Sequence, residues 1–158
     1  MITEFKGTYA FLSSFAPIPV KLPWFHDWEA PTREHGFQAA KCADWQDMMH
    51  VLHAQTPGEA KKRGRAVKMR AGWDGVKREV MLELALIQFR QPGPRTSLAA
   101  TGDHVLVEGN TWGDTYWGAI RSAAPALPSW GGPDDQGFTL SGHNWLGRVL
   151  MMVRDVTA

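Results

Sequence analysis

A long segment from Trp73 to Gln91 repeats its apolar residues at the spacing of an α-helix. The residues that recur at this spacing are Val76, Val80, Leu84 and Ile87. Pro92-Gly93-Pro94 follows directly and should end the helix, because proline has no amide hydrogen to continue the ladder. This segment is the strongest indication that the chain forms a mainly helical domain.

Shorter helices are predicted on both sides of this segment. Thr32 and Thr56 each stand where a helix N-cap would, and Pro57 suits a first helical turn. The predicted helices run from Thr32 to about Trp45, from Gln46 to Gln55, from Thr56 to near Gly64, from Arg95 to Ala100, and from Trp145 to Val156. The last is amphipathic, with an inward face of Leu146, Val149, Leu150 and Val153.

The remaining segments predict a few short strands and long loops. Phe5 to Phe15 indicates a strand or extended segment, and prolines break the chain from Pro17 to Trp24. Further strands are predicted over Trp24 to Ala30 and His104 to Glu108, and Gly109 to Gly142 is predicted to be mostly loop. The expected fold class is α+β, a mainly helical compact single domain with a few short strands, spanning 1–158.

Composition excludes several classes of protein. The net charge of +1 argues against a broad nucleic-acid or membrane surface. Cys42 is the one cysteine, so no internal disulfide can form, and no signal peptide or membrane-spanning run is visible. The histidines lack zinc-ligand spacing, and there is no phosphate-binding glycine loop. We therefore expect a cytoplasmic protein with no metal, no cofactor and no membrane partner.

The predicted helix after Thr32 carries the first candidate chemistry. At 100° per residue one stripe of this helix holds a carboxylate, an amide, an amine and an indole. These belong to Glu34, Gln38, Lys41 and Trp45, and the opposite face has the small residues Gly36, Ala39, Ala40 and Ala43. The stripe is either a functional surface or an ordinary solvated face. The indole favours the functional interpretation.

Two acids and one basic cluster are further candidates. Glu108 ends an apolar segment, and Asp114 lies in a loop rich in glycine and tryptophan. Both placements are common for catalytic acids, although Asp114 could simply organise a turn and Glu108 could be exposed. The cluster Lys61-Lys62-Arg63-Gly64-Arg65, with Lys68 and Arg70, could bind phosphate or be a solvated face.

These segments, in this order, resemble the NADAR (YbiA-like) family. The resemblance covers nearly the whole chain, and its specificity lies in the ordered combination of motifs. The motifs are Phe11-Leu12-Ser13-Ser14-Phe15, Glu34-His35-x-Phe37-Gln38-Ala39-x-Lys41, Glu59-Ala60-Lys61-x-x-Gly64-Arg65, Trp73-Asp74-x-x-Lys77, Leu106-Val107-Glu108, Asp114-x-x-Trp117-Gly118 and Asn144-x-Leu146-Gly147. Three departures stand out: Ser14 where the family usually has Asn, Gly36 in place of an aromatic residue, and a longer stretch from Ala119 to Ser141. The second and third departures affect which substrate the protein would accept more than which reaction it would catalyse.

The resemblance implies hydrolysis of an N-glycosidic bond in a small-molecule ribose-phosphate or ADP-ribose compound. Phosphorylated riboflavin-pathway intermediates and ADP-ribosylated guanine in DNA are the substrates that the family suggests, with ADP-ribosylated DNA as a further partner. Breaking a ribose–nitrogen bond builds positive charge on the sugar, which a carboxylate stabilises.

Roles for individual residues follow from this resemblance. Glu34 would be the acid/base, and Lys41 would bind phosphate or attack C1′ to form a Schiff base. Glu108 and Asp114 would hold ribose hydroxyls or share the acid/base role. The residues expected to bind substrate are Trp73 and Trp117 against the base, Arg65 and Lys77 at phosphate, and Ser13, Phe15, Gln38, Gly118 and Asn144.

Other functions compete with catalysis. A non-catalytic module that binds ADP-ribose would have a similar pocket, and a structural or interaction protein could keep the fold alone. Direct DNA binding has only the cluster from Lys61 to Arg70 in its favour, and strong salt dependence would support it. The enzymatic hypothesis expects Glu34, Asp114 and Trp117 to share one aromatic-walled cleft.

Overall fold

The structure, a computed structural model, describes residues 1–25, 28–122 and 139–157. The chain forms two compact units. Unit 1 comprises Met1–Ser13 and Thr96–Ala158, and unit 2 comprises Ser14–Arg95. The prediction of one domain spanning 1–158 stays a prediction.

Unit 2 is built around one buried helix. Its elements are β1 (Val20–Leu22), β2 (Trp28–Ala30), α1 (Arg33–Ala40), α2 (Trp45–Leu52), α3 (Pro57–Gly64) and α4 (Trp73–Phe89). β1 and β2 pair as an antiparallel ribbon, with Val20 opposite Ala30. Helix α1 contacts α2, α3 and α4 and both strands, so it is enclosed on all sides.

Side-chain caps start the short helices of unit 2. Thr32 caps α1 by accepting a hydrogen bond from the amide of His35, and Thr56 caps α3 in the same way. Asp44 caps α2 through the amide of Asp47. Each cap satisfies an amide that the first turn of a helix leaves without an intrahelical partner, and so fixes where the helix begins.

Unit 1 combines a small sheet with a long C-terminal helix. Its elements are a 3₁₀ helix (Gly7–Leu12), β3 (Gly109–Asn110), β4 (Ala119–Ser122), β5 (Thr139–Ser141) and α6 (Trp145–Thr157). β4 is central in the sheet, parallel to β3 and antiparallel to β5. Helix α5 (Pro92–Ala99) contains the position in sequence at which unit 2 ends and unit 1 resumes.

Several predicted elements are confirmed. Thr32 and Thr56 begin helices as expected, and α4 and α6 match their predicted segments within two residues. The expected inward face of α6 is buried: Leu146, Val149, Leu150 and Val153. The fold class, mainly helical α+β with a few short strands, is confirmed.

The predictions for the N-terminal third are partly wrong. Phe5 to Phe15 contains a 3₁₀ helix and no strand, because Gly7 takes a left-handed backbone (φ 54°) and the amide of Tyr9 closes a tight turn on Lys6. The predicted loop up to Trp24 contains β1, which forms because β2 pairs with it. The strand predicted over Trp24 to Ala30 is confirmed over Trp28–Ala30 only, and residues 26–27 lie outside the described part of the chain.

Helix boundaries and two central segments also differ from the prediction. The helix from Thr32 ends at Ala40 and not near Trp45, because Cys42 pairs with Met69 and Asp44 caps a new helix. Pro92-Gly93-Pro94 opens α5 as well as ending α4, since proline suits a first helical turn.

In the segment His104 to Glu108 only Leu106 and Val107 are buried, and the segment forms an isolated bridge between Leu106 and Ile2 in place of the predicted strand. In the predicted loop Gly109 to Gly142 the structure has β3, β4 and β5, and residues 123–138 lie outside the described part. Among the described residues, no helix is long and apolar enough to cross a membrane.

Candidate active site

The Glu34 carboxylate lies buried in the first turn of α1, with 5% of the residue exposed. Its oxygens accept from two different side chains. Gln38 Nε2 donates to Oε1 at 2.8 Å, and Ser14 Oγ donates to Oε2 at 3.1 Å. A carboxylate at a helix N-terminus is also stabilised by the helix dipole. The fold therefore keeps an acidic group in a fixed orientation inside unit 2.

Gln38 lies one turn after Glu34 and connects it to α3. Its Oε1 is buried and has no hydrogen-bond partner among the described residues. This oxygen lies against Gly64, where a Cβ atom would overlap it. A glycine at the end of α3 thus makes room for the amide that orients Glu34.

Lys41 follows α1 directly and is half-buried. Its carbonyl accepts from the amide of Arg70 at 2.9 Å. Burial lowers the pKa of Lys41 below its usual range, and the charge of Arg65 adds to that effect, whereas Cys42 and Glu34 oppose it. Burial therefore favours the neutral amine form of Lys41.

Aromatic and basic side chains pair in the same unit. Lys61 Nζ lies 5.8 Å from the centre of the Phe15 ring, and Phe15 is exposed. Arg70 lies 5.7 Å from the Trp73 ring, which in turn contacts Phe37. Because Trp73 is buried, only the Phe15–Lys61 pair presents a flat apolar surface together with a positive charge, a combination that suits a phosphorylated nucleoside-like ligand.

Two of the other basic side chains predicted to bind phosphate form ion pairs within the protein. Lys77 forms an ion pair with Asp74 on the surface of α4, at 2.8 Å. Arg63 of the predicted phosphate cluster binds Glu59 and the carbonyl of His50. Arg65 is exposed at the end of α3. Of the predicted phosphate-binding pair, Arg65 is therefore the better placed.

Cys42 is a poor nucleophile in this environment. Its thiol donates to the carbonyl of Gln38 at 3.4 Å. Burial, with Asp47 adding, raises the pKa of the thiol to about 11. The thiolate is therefore scarce near neutral pH.

In unit 1 the predicted residues form a network around Asn144. The backbone of Asn144 is left-handed (φ 50°), and its side chain bonds the amide of Glu108 at 3.0 Å and the carbonyl of Leu106 at 2.9 Å. The carbonyl of Gly118 accepts from the amide of Asn144. A Cβ on Gly118 would overlap the carbonyl oxygen of Glu108. Asn144 and Gly118 thus fix the backbone that carries Glu108.

Asp114 organises a turn in unit 1, the structural alternative left open for it. Its Oδ1 accepts from the amides of Tyr116 and Trp117, at 3.0 and 2.9 Å. The side chain of Asn110 donates to the backbone carbonyl of Asp114 and accepts from its backbone amide. The turn presents Trp117 half-exposed, edge-on to Tyr116.

The predicted stripe on α1 is only partly correct. Glu34 and Gln38 are bonded to each other, and Lys41 is in electrostatic range of Glu34. Trp45 belongs to α2, is 50% exposed and packs on Phe25 at 4.6 Å between ring centres. No solvated face exists on α1, because all of its residues are buried.

Gly36 does not line a substrate pocket. A Cβ at this position would lie 3.0 Å from Leu22 and 3.1 Å from Leu84, both core side chains. The departure at Gly36 is therefore a matter of packing in unit 2, and its predicted bearing on the substrate is wrong.

Ser14 was not among the candidate site residues. Its bond to Glu34 spans twenty positions of sequence, a separation that helix periodicity does not reach. The signal available was its place between Ser13 and Phe15 in the first motif. Ser13 itself ends the 3₁₀ helix in unit 1.

Comparison with known proteins defines the class to which this fold and site belong. A model of the NADAR domain family matches residues 3–157. Because the match spans nearly the whole chain, the protein belongs to the NADAR domain family. The family recognised from sequence motifs is thereby confirmed.

Individual relatives and a solved structure agree with that assignment. N-glycosidase YbiA of Escherichia coli (strain K12) is 32% identical over 153 residues, which cover 95% of this chain and 82% of that protein. An N-glycosidase from Nostoc punctiforme is 33% identical, covering 93% and 85%. The NMR structure of E. coli YbiA covers 99% of this chain and 84% of that one, with a TM-score of 0.73 and 31% identity. The predicted enzyme class, an N-glycosidase, is confirmed.

Another relative is named as a riboflavin biosynthesis protein, from Vibrio vulnificus. It is 31% identical over 153 residues, covering 93% of this chain and 35% of that protein. The present chain thus matches about one third of that longer protein.

Proposed function

We propose that this protein hydrolyses the N-glycosidic bond between a ribose phosphate and a nitrogen base, with phosphorylated riboflavin-pathway intermediates as the substrate class. The observation that carries the proposal is the buried, doubly hydrogen-bonded carboxylate of Glu34. The riboflavin biosynthesis relative supports the choice of substrate class.

Glu34 would act where charge develops. As the bond from C1′ to nitrogen breaks, the sugar becomes positively charged, and an ionised carboxylate beside it lowers the energy of that state. The same group can orient the attacking water or serve as general acid/base. Its two donors keep the carboxylate from rotating, so little reorganisation is needed during the reaction.

Lys41 has two roles that fit its environment. As an ammonium it can bind the substrate phosphate together with Arg65. As a neutral amine it can attack C1′, displace the base and form an imine with the opened sugar, which water then hydrolyses. Burial favours the amine form because it lowers the pKa of Lys41. Borohydride reduction during turnover would leave the sugar phosphate on Lys41 only in the second case.

Other residues of unit 2 would hold the ligand. Phe15 offers an exposed aromatic surface, and Lys61 beside it offers charge for phosphate, whereas Trp73 is buried and its predicted stacking on the base stays a prediction. The roles of Glu108, Asp114, Trp117 and Asn144 in binding ribose or base stay predictions, as do ADP-ribosylated guanine as substrate and the cleft expected between Glu34 and Asp114.

Replacing Glu34 with Gln tests the proposal. Base release by the Glu34→Gln variant should fall by about 10² to 10⁴-fold, because the variant retains the shape of the side chain but loses its charge. The matched control is Glu29→Gln, an exposed site on β2 that should keep full activity. Thermal melting of both variants establishes that they are folded.

Two outcomes would overturn this assignment. Turnover at the wild-type rate by a folded Glu34→Gln variant would exclude Glu34 as the acid/base. Tight binding of an N-riboside without release of free base, seen by chromatography, would instead support the alternative of a non-catalytic ADP-ribose or nucleotide-binding module. Assaying a panel of N-ribosides and ADP-ribosylated DNA would identify the substrate.

A further inference from the structure

Ser14 contacts Glu34 at two points. Its carbonyl accepts a hydrogen bond from the Glu34 amide at 3.0 Å. Its hydroxyl donates to the Glu34 carboxylate, at Oε2, at 3.1 Å. One residue from the loop before β1 therefore holds both the backbone and the side chain of the candidate acid/base.

The two donors to the carboxylate act on opposite oxygens. Gln38 reaches Oε1 from the next turn of α1, and Ser14 reaches Oε2 from outside the helix. With both bonds present, rotation of the carboxylate about its last torsion breaks at least one of them. With Gln38 alone, the carboxylate can pivot about a single bond, and a shift of this kind weakens catalysis without unfolding the protein.

We propose that Ser14 is a positioning residue of this enzyme: its hydroxyl fixes the orientation of the Glu34 carboxylate for reaction at C1′. The inference rests on the proposed function of Glu34 and adds a residue through which Glu34 acts. Ser14 is half-buried, so a variant with a slightly larger hydroxyl side chain fits the same place.

Three variants test this role with a ribosylaminopyrimidine 5′-phosphate as substrate. Ser14→Ala removes the donor, and kcat should fall roughly tenfold with KM changed less than twofold, because one hydrogen bond to a charged group is lost from a group that acts in the transition state. Ser14→Thr keeps the hydroxyl and should restore kcat to within about twofold. Ser97→Ala makes the same chemical change on the exposed surface of α5 and should leave both constants unchanged.

Urea unfolding separates positioning from general stability. We expect Ser14→Ala to stay fully folded under assay conditions, with an unfolding midpoint only modestly lowered by the lost hydrogen bond, while its kcat is reduced. A wild-type kcat in Ser14→Ala overturns the positioning role and leaves the proposed function intact. A loss of kcat that Ser14→Thr fails to restore, or that arises because the variant is partly unfolded in the assay, overturns it as well. Absence of base release by the wild-type protein overturns the proposed function and, with it, this inference.

Discussion

At the scale of single residues, the orientation of the Glu34 carboxylate depends on a small number of contacts. Two side-chain donors fix its carboxylate, and one of these, Gln38, fits only because Gly64 has no side chain. Glycine at the end of α3 is therefore tied to the orientation of the acid on α1. A substitution that touches neither substrate nor Glu34 should still reduce catalysis.

The Gly64→Ala variant should show this effect. The added methyl would overlap Gln38 Oε1, so the amide must move and its bond to Glu34 must lengthen or break. We expect kcat to fall roughly tenfold, which corresponds to the loss of about 1.4 kcal/mol of transition-state stabilisation. The measurement is steady-state kinetics of base release.

The matched control for this variant is Gly75→Ala in α4. No atom lies within 4 Å of a Cβ at Gly75, and alanine favours helix, so stability should rise by about 0.5 kcal/mol with no change in kcat. An unchanged kcat in Gly64→Ala would mean that Gln38 does not orient Glu34.

At the scale of secondary-structure elements, α1 is unusual because it buries polar side chains. Arg33 stacks over the Phe89 ring at 5.7 Å, and Glu34 and Gln38 bond each other. His35 is fixed by Thr32 on Nδ1 and by the Ala54 carbonyl on Nε2. Because a carbonyl only accepts, Nε2 carries the proton, and Nδ1 of the neutral ring accepts from the Thr32 hydroxyl.

The buried His35 gives unit 2 a definite pH dependence of stability. Burial lowers the pKa of His35 below the 6.5 of a free imidazole, against weaker opposing effects of the Ala54 carbonyl and of Glu34 and Glu59. The unfolded chain therefore binds a proton more readily than the folded protein as pH falls below 6.5, so stability should decrease there.

Urea unfolding between pH 7.5 and 5 measures this dependence. Glu59 does not interfere, because its pKa is lowered from 4.5 and its effect on stability therefore lies below that pH. A His35→Gln variant lacks the titrating ring, and its stability should decrease less across this range. Parallel curves for the two proteins would refute the assignment to His35.

At the scale of the whole molecule, local signals predicted local structure. Thr32 and Thr56 cap helices by bonds within three residues, and α4 and α6 follow their own periodicity. The short strands could not be predicted with the same accuracy, because β1 forms through its pairing with β2. The segment at Leu106 likewise depends on Ile2, more than one hundred residues earlier in the sequence.

In the candidate site, too, contacts within one helix could be predicted from sequence and contacts between distant segments could not. The spacing of Glu34, Gln38 and Lys41 on one helix indicated a cluster, and the structure confirms the bond within it. Ser14 was missed because its contact to Glu34 spans a strand ribbon and a turn. Trp45 was wrongly included in the stripe on α1, because the Asp44 cap starts a new helix at Trp45 and the helical spacing of α1 does not continue to it.

The central claim is that this member of the NADAR domain family hydrolyses an N-glycosidic bond with Glu34. Incubating the protein with a ribosylaminopyrimidine 5′-phosphate in water enriched in ¹⁸O tests it most directly. We expect equal amounts of free base and sugar phosphate, with one ¹⁸O atom at C1′, and almost none of either from the Glu34→Gln variant. Recovery of the intact riboside from the wild-type protein, or equal hydrolysis by the variant, would contradict it.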